Sequence, residues 1–244
     1  MDNDNILITA LKELGIKYSP KQLNLVNEYL DQIYEYNKTS NLIGTKDKKG
    51  IRIRHILDSI SILKYREYLF DGKGNAGKVI DVGTGAGLPG MILSIFLKDK
   101  LIYLLDKKER KIEFLSSLAG KLKIENVRTL KGRAEELARE NLYRESFDIV
   151  LARAVARFSI LCELVIPFCR INGKIIFYKS IKVFDELKKS REAISRLGGR
   201  IESLLEVKVP YLNEFRAFLI INKYKKSPEK YPRKINKIKN NPLR

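Results

Sequence analysis

The sequence predicts a doubly wound α/β fold, in which a seven-stranded, mostly parallel sheet follows a helical segment. After residue 78, short apolar runs of strand length alternate with stretches whose apolar residues recur at helical spacing. Such alternation is typical of parallel strands joined by helices that cover both faces of one sheet. Residues 1–70 show only the helical period, and a glycine-rich turn follows the first strand-like run.

The helical segment contains three periodic stretches. Residues 5–14 form the first, and the second begins after Ser19, a suitable N-cap, with Pro20 in its first turn. The third covers about residues 52–68. We therefore expect residues 1–70 to form an N-terminal helical cap, which ends in a glycine-rich linker over residues 71–77.

The sheet region is expected to extend over residues 78–222. Its predicted strands are 78–81, 101–105, 127–130, 147–152, 175–178, 201–207 and 215–222. The predicted helices are 89–97, 110–122, 134–139, 159–168 and 183–196. Cys169 directly follows the fourth of them, and on a helix shared with Cys162 the two residues are about 10 Å apart along the axis, too far for a disulfide. Residues 223–244 lack periodicity, and we expect them to form a mobile basic tail.

Positive charge is concentrated near the end of the chain. The 48 Lys and Arg exceed the 29 Asp and Glu by 19. Between Asn222 and Arg244, nine basic residues accompany a single acid, Glu229, so this segment holds eight of the nineteen net charges. Such density attracts polyanions, of which nucleic acid is the commonest, although a solvated tail in a lysine-rich chain is the simpler alternative.

The chain contains no signal for export or membrane insertion. No run approaches the roughly 18 consecutive apolar residues of a membrane span. The N-terminus is acidic and amphipathic and lacks the basic and apolar regions of a secretory signal. We therefore expect a cytoplasmic protein without a membrane partner, and a monomer.

A glycine-rich turn is the clearest functional feature. Residues 79–90 read as a strand, then Gly83, Gly85 and Gly87, then the start of a helix. Glycines allow positive φ and a close approach of the backbone to a ligand, and the helix start offers free N–H groups. The pattern indicates a nucleotide site rather than an ordinary tight turn.

The glycine-rich turn is compatible with more than one type of nucleotide. The run from Gly85 to Gly90 satisfies G-x-G-x-x-G, and Asp106 follows about twenty residues later, as a nicotinamide cofactor requires. Asp81 would repel a pyrophosphate, whereas it suits the ammonium and sulfonium groups of S-adenosylmethionine. Asp106 would accept hydrogen bonds from the ribose in either case. The residues favour the methyl donor; an NAD(P)-dependent oxidoreductase and a non-catalytic RNA-binding protein remain alternatives.

Six motifs occur in an order that resembles a known family. They are Arg54-His-Ile-Leu-Asp-Ser59, the glycine-rich run from Asp81 to Gly90, Leu104-Leu-Asp106 with Lys108–Leu115, Gly132-Arg-Ala-Glu135, the run from Phe147 to Ala156, and Tyr231-Pro-Arg-Lys234. Together they look like the bacterial 16S rRNA guanine-N7 methyltransferases, also called glucose-inhibited division protein B. Lys107 and Ala152 depart from the family pattern, in which Ser is frequent at both positions.

The resemblance implies a class I, Rossmann-like methyltransferase that uses S-adenosylmethionine. It implies methylation of N7 of guanosine 527, in conventional rRNA numbering, with 16S rRNA in the small ribosomal subunit or its precursor as partner. Carried over by position, the donor contacts are Gly83, Leu88, Ala134, Glu135 and Arg153, with Asp106 at the ribose, beside Asp81, Gly85 and Gly87 of the loop.

Methylation at N7 needs no general base, because this nitrogen carries a lone pair and no proton. We therefore expect no catalytic base and no metal site. For RNA contact we single out Arg54, His55, Arg157, Arg233 and Lys234, within a wider basic surface that includes Arg52 and a stacking candidate, Tyr231. A structural role for His55 is the alternative. Removal of the residues after Asn222 should weaken RNA binding and leave the affinity for S-adenosylmethionine unchanged.

Overall fold

The computed structural model describes residues 3–70, 77–153 and 157–243. Seven strands in these ranges form one sheet of order β3-β2-β1-β4-β5-β7-β6. All neighbours pair in parallel except β7, which is antiparallel to both β5 and β6. The predicted doubly wound, mostly parallel sheet is confirmed. The strands are β1 Lys78–Val82, β2 Leu101–Asp106, β3 Val127–Lys131, β4 Phe147–Arg153, β5 Cys169–Lys179, β6 Gly199–Val207 and β7 Arg216–Lys223.

The central strands are buried on both faces, which explains their nearly continuous apolar sequences. Every residue of β4 except the last is buried, and so is every residue of β1 except the first. Asp81 pairs with Leu104 on one side and with Leu151 on the other. The strand order reverses between β1 and β4, and ligands of open α/β sheets bind at the carboxyl ends of strands at such a point.

Helices cover both faces of the sheet. The N-terminal segment packs with α6 and α7 on one face, and α9, α10 and α11 pack on the other. Ser19 caps α2 through a reciprocal pair of hydrogen bonds with Gln22, as expected. The α-helices are α1 Asn3–Glu13, α2 Pro20–Ser40, α3 Lys48–Ile51, α4 Asp58–Ile60, α5 Arg66–Leu69, α6 Gly90–Phe96, α7 Glu109–Lys121, α8 Ala134–Leu137, α9 Phe158–Val165, α10 Val183–Arg196 and α11 Ile235–Asn240.

The third helical stretch is not the uniform helix that its periodicity predicts. A π-helical turn, Arg52–Leu57, separates α3 from α4, and a 3₁₀ turn, Ser61–Tyr65, precedes α5. Arg153 at the end of β4 donates to the main-chain carbonyls of Arg54 and His55 at 2.8 and 2.9 Å. A side chain that binds helix carbonyls interrupts the regular i→i+4 ladder, and this accounts for the wider turn.

One further expectation, on the cysteines, needs correction, and another, on the linker, concerns residues outside the described ranges. Cys162 lies on α9 whereas Cys169 begins β5, so the two thiols do not share a helix; both are free and buried, as expected. The predicted linker, apart from Gly77, falls outside the described residues. No helix within the described ranges combines the length and the apolar character that crossing a membrane requires.

The C-terminal segment, residues 223–243, is folded against the sheet, so the prediction of a mobile tail is wrong. It contains α11 and buries Tyr231, Ile238 and Leu243. Arg144 donates to the main-chain carbonyls of Ser227 and Tyr231, both at 2.8 Å. Main-chain carbonyls are present at every residue, so a polar composition gives no sign of this kind of anchoring.

Lys223 begins this segment and is fully buried, at 0% exposure. Its Nζ lies 3.1 Å from a Glu145 carboxylate oxygen and donates to the Leu197 carbonyl at 3.2 Å and to the Ser227 hydroxyl. Burial lowers the pKa of Lys223, and the charge of Glu145 opposes that effect. The ammonium thus joins the end of β7 to two neighbouring turns in a water-excluded site.

We predict that Lys223→Met destabilises the protein by about 3 kcal/mol, because removal of one partner leaves buried polar groups without compensation. Urea denaturation followed by circular dichroism measures the free energy of unfolding. Lys226→Met is the matched control, since Lys226 is exposed and should change stability by no more than about 0.5 kcal/mol. Equal losses in the two variants would contradict the structural role of Lys223.

Candidate functional site

The glycine loop, residues 83–89, connects β1 to α6 at the carboxyl edge of the sheet. Gly83, Gly85 and Gly87 have φ values of +76°, +59° and +91°, which favour glycine. A Cβ added at Gly87 would lie 2.8 Å from Met91 Cβ, which is fixed to the backbone of α6, so this position is also sterically closed to side chains. The three glycines are therefore required by the shape of the loop.

Asp81, at the end of β1, stabilises the glycine loop through hydrogen bonds from within the core. Its Oδ2 accepts hydrogen bonds from Thr84 Oγ1 at 2.6 Å and from the Gly90 amide at 2.8 Å. The residue is 1% exposed, and its Oδ1 has no hydrogen-bond partner within the described ranges. Burial raises the pKa of Asp81 to about 6. A buried carboxylate oxygen without a donor is costly, and a ligand cation would relieve that cost.

Asp106, at the end of β2, faces the same loop. Its carboxylate accepts hydrogen bonds from the main-chain amides of Gly85, at 3.2 Å, and Lys108, at 2.9 Å. The Lys111 ammonium lies 3.4 Å from Oδ2. The sequence identified Asp106 but not the role of Lys111, whose position in the first turn of α7, five residues after Asp106, is the sequence signal for it.

A cavity of about 390 Å³ opens beside Asp106, within the range of about 300–1,000 Å³ that small-molecule sites occupy. Gly83, Asp106, Ala134 and Glu135 line it, so four of the predicted donor contacts meet there. Asp81 of β1 and Gly85, Gly87 and Leu88 of the glycine loop lie next to the cavity and are not part of its lining. The lining also contains Val82, Leu105, Lys107, Lys108, Lys111, Gly132, Arg133, Ile160, Leu164, Ile235 and Lys239.

Arg153 borders a different cavity, of about 330 Å³, at the ends of β4, β5 and β7. Its guanidinium lies 3.2 Å from the Asp58 carboxylate and donates to Ser59 Oγ at 2.6 Å. Arg216 of β7 donates to the other Asp58 oxygen at 3.1 Å. Arg153 was expected to contact the methyl donor, but in the structure its hydrogen bonds go to the helical segment. The remaining lining includes Tyr178, Lys179, Glu186 and Glu214.

His55 lies between Thr45 and Arg153. Because a guanidinium only donates, the contact of 3.1 Å from Arg153 Nη2 makes Nδ1 an acceptor. The ring proton is then on Nε2, which lies 2.8 Å from Thr45 Oγ1. Burial, followed by the charges of Arg153 and Arg54, lowers the pKa of His55 to about 4. This geometry supports the structural alternative for His55.

The other basic residues predicted to bind RNA differ in their exposure and in their ion pairs. Lys234 is exposed, as is Arg157 at the start of α9. Arg54 is ion-paired with Glu214 at 2.6 Å but is half exposed, and Arg233 is bound to Glu163. Among the wider candidates, Arg52 is buried at 2% exposure, and Tyr231 is buried as well, so neither belongs to an exposed basic surface. Ala154, Val155 and Ala156 of the fourth-strand motif lie outside the described residues.

Comparison with known proteins decides the family. A family profile described as rRNA small subunit methyltransferase G matches residues 22–213. The chain belongs to this family. The ribosomal RNA small subunit methyltransferase G of Clostridium tetani (strain Massachusetts / E88) is 36% identical over 240 residues, which cover 98% of each chain. The protein of the same name from Clostridium kluyveri is 36% identical over 244 residues, which cover 100% of each chain. The resemblance inferred from six motifs is confirmed.

Two solved structures with a similar fold are described as methyltransferases. A 16S rRNA (adenine(1408)-N(1))-methyltransferase from Catenulisporales acidiphilia has a TM-score of 0.51 at 12% identity, covering 62% of this chain and 87% of that chain. A protein from Agrobacterium tumefaciens described as a predicted O-methyltransferase also has a TM-score of 0.51, at 16% identity, covering 70% and 81%. At such identities the likeness concerns the fold, and it agrees with the predicted class I methyltransferase architecture.

We predict that His55 remains neutral, with its proton on Nε2, down to about pH 4 to 5, because its pKa is lowered to about 4. As the only histidine of the chain, it gives one pair of ring ¹⁵N resonances, and their pH titration by NMR reports both the tautomer and the pKa.

The unfolded chain binds this proton with a pKa near 6.5. The neutral ring therefore stabilises the fold above about pH 6.5, and the contribution is lost as the pH falls from there towards 4. A midpoint near 6.5 in the folded protein would contradict the buried, Arg153-bound ring.

Proposed function

We propose that this protein transfers a methyl group from S-adenosylmethionine to N7 of a guanosine in 16S rRNA. The observation that carries the proposal is the cavity between Asp106 and Glu135, beside the glycine loop, in a chain that belongs to the rRNA small subunit methyltransferase G family. The choice of guanine N7 and of the nucleotide rests on the motif resemblance.

The cavity beside Asp106 has the groups that the methyl donor requires. Asp106 would accept hydrogen bonds from the ribose hydroxyls. Next to the cavity, Oδ1 of Asp81, which has no hydrogen-bond partner among the described residues, would accept from the donor ammonium. Leu105, Ile160 and Leu164 provide apolar surface for an aromatic base. Bound there, S-adenosylmethionine supplies an electrophilic methyl group attached to a sulfonium.

The cavity bordered by Arg153 is the site we assign to the target guanine. It lies at the same carboxyl edge of the sheet as the donor cavity, beyond the end of β4. Glu186 and Glu214 contribute carboxylates, which suit the N–H groups of a guanine edge. Arg153 and Arg216 hold Asp58 between them and so fix the wall of this cavity.

Methyl transfer to N7 requires the protein to align the methyl donor with the guanine, and it requires no proton transfer. N7 of guanine has a free in-plane lone pair, so no side chain has to remove a proton. The neutral His55 is engaged by Thr45 and Arg153, which is consistent with a structural role rather than with a base. Correct placement of two reactants can lower a barrier by up to roughly 7–11 kcal/mol.

The sheet topology weighs against a nicotinamide-dependent oxidoreductase. Dinucleotide-binding sheets commonly have the order 3-2-1-4-5-6, whereas here an antiparallel strand, β7, is inserted between β5 and β6. Asp81 is a second argument against the oxidoreductase, because its buried carboxylate next to the loop disfavours a pyrophosphate. A non-catalytic RNA-binding role is disfavoured by the intact donor cavity.

The partner we propose is 16S rRNA within the small ribosomal subunit or its precursor, bound by a cytoplasmic monomer. Exposed cations border the donor cavity, among them Lys107 and Lys108, and Arg157 and Lys234 lie exposed at the starts of α9 and α11. RNA phosphates bound to these residues would bring a flipped guanine to the same edge of the sheet.

We predict that Asp106→Asn weakens the binding of S-adenosylhomocysteine by at least about tenfold, which corresponds to about 1.5–3 kcal/mol for hydrogen bonds to a charged group. Isothermal titration calorimetry on the folded protein measures the dissociation constant. Glu109→Gln is the matched control, because it removes an acidic charge three residues away that pairs with Lys131 outside the cavity. A change of less than twofold for Asp106→Asn would show that Asp106 is not the ribose ligand.

We further predict that the protein methylates unmodified 16S rRNA at one guanosine and that the product base carries a fixed positive charge. Such a base makes the chain sensitive to cleavage after reduction and aniline treatment. Tritiated methyl groups from S-adenosylmethionine should therefore map to the site of that cleavage. Incorporation of tritium without any aniline-sensitive guanosine would exclude N7, while absence of incorporation into both RNA and small-subunit particles would contradict the proposed substrate.

A further inference from the structure

The C-terminal segment, residues 223–243, is anchored to the body of the protein through its main chain. Arg139 donates to the carbonyls of Lys230 and Pro232, at 3.2 and 2.8 Å, and Arg144 donates to those of Ser227 and Tyr231. These bonds fix the path of the chain from the end of β7 to the start of α11.

A buried ion pair then fixes the position of α11 against α9. Glu163 of α9 is 0% exposed, and its two carboxylate oxygens accept from Arg233 Nε at 2.8 Å and Nη2 at 2.7 Å. The main-chain amide of Arg233 donates to the same carboxylate at 2.8 Å. A bidentate pair of this kind fixes orientation as well as position, because the planar guanidinium and carboxylate must lie side by side. Arg233, two residues before α11, therefore sets where the helix begins.

The two faces of α11 meet different surroundings. Ile238 is buried in the core against α9. Ile235 and Lys239, one helical turn apart, line the cavity beside Asp106. Asn236 and Lys237 are exposed and border a separate groove on the outer side. The helix thus places an apolar residue in the donor cavity while it presents basic side chains to solvent.

We propose that α11 forms one wall of the methyl-donor site, so that the C-terminal segment takes part in donor binding. The inference rests on the proposed function, and it identifies Ile235 as a residue that contacts the donor. Ile235, Ile160 and Leu164 give the cavity an apolar side, and the polar groups Asp106 and Glu135 are contributed by other elements. This division suits a ligand with a flat aromatic base and a polar ribose and amino-acid part.

The proposal revises the expectation that removal of the residues after Asn222 affects RNA binding alone. Such a truncation also removes Lys223, the Arg233 ion pair and the Ile235 wall. Its effect on RNA binding therefore cannot be separated from loss of the donor site, and single substitutions within α11 are the sharper test.

The test compares two faces of the same helix in the full-length protein, with S-adenosylhomocysteine as the probe and calorimetry as the readout. Ile235→Ser should raise the dissociation constant at least about fivefold, because it replaces apolar surface next to the ligand with a hydroxyl. Lys237→Ser, on the solvent side, should leave the constant unchanged within twofold. Circular dichroism and thermal unfolding confirm that both variants are folded.

Amide hydrogen exchange provides a second measurement that needs no variant. In the wild-type protein, S-adenosylhomocysteine should slow exchange over residues 235–240 as well as over the glycine loop. Normal binding by the wild type with equal constants for Ile235→Ser, or with protection of the loop but not of α11, would overturn this inference and leave the proposed function standing. Failure of the wild type to bind S-adenosylhomocysteine would overturn both.

Discussion

The contact between Arg153 and the helical segment is the interaction on which the carboxyl edge of the sheet depends. Arg153 stands at the end of β4, the strand next to the topological switch point, and binds two main-chain carbonyls, Ser59 Oγ and the Asp58 carboxylate. Arg216 of β7 meets Asp58 from the other side. A segment from the first quarter of the chain is thereby held against two strands of the sheet.

This contact explains several features that otherwise look unrelated. The π-helical turn Arg52–Leu57 is the local consequence, since two of its carbonyls accept hydrogen bonds from an arginine. The neutral state of His55, whose first cause is burial, is reinforced by the same guanidinium, which donates to Nδ1. A buried ion pair contributes little net stability compared with apolar packing. Its value here is geometric: it fixes the wall between the core and the cavity assigned to the guanine.

Sequence patterns predicted the parts of the fold that depend on local chemistry. The strands, the glycine loop and Asp106 were all found, because burial on both faces, positive φ and a strand-end carboxylate each leave a residue-level signature. The interrupted third helix was not found, since Arg153 acts on His55 from a distance of 98 residues in the chain. The folded C-terminal segment was missed because Arg139 and Arg144 bind its carbonyls, which every residue has. Arg52 was misassigned because charge in a sequence does not show burial.

A single hydrogen bond links the N-terminal helices to the glycine loop, and the sheet region therefore depends on them. Tyr29 of α2 is fully buried, and its hydroxyl donates to the Ala86 carbonyl within the glycine loop at 2.8 Å. The loop is therefore supported from one side by Asp81 and from another by a helix that precedes the sheet. The sheet and its loop are not a self-sufficient module: a chimera that grafted them onto a different N-terminal partner would lose the group that supports the loop.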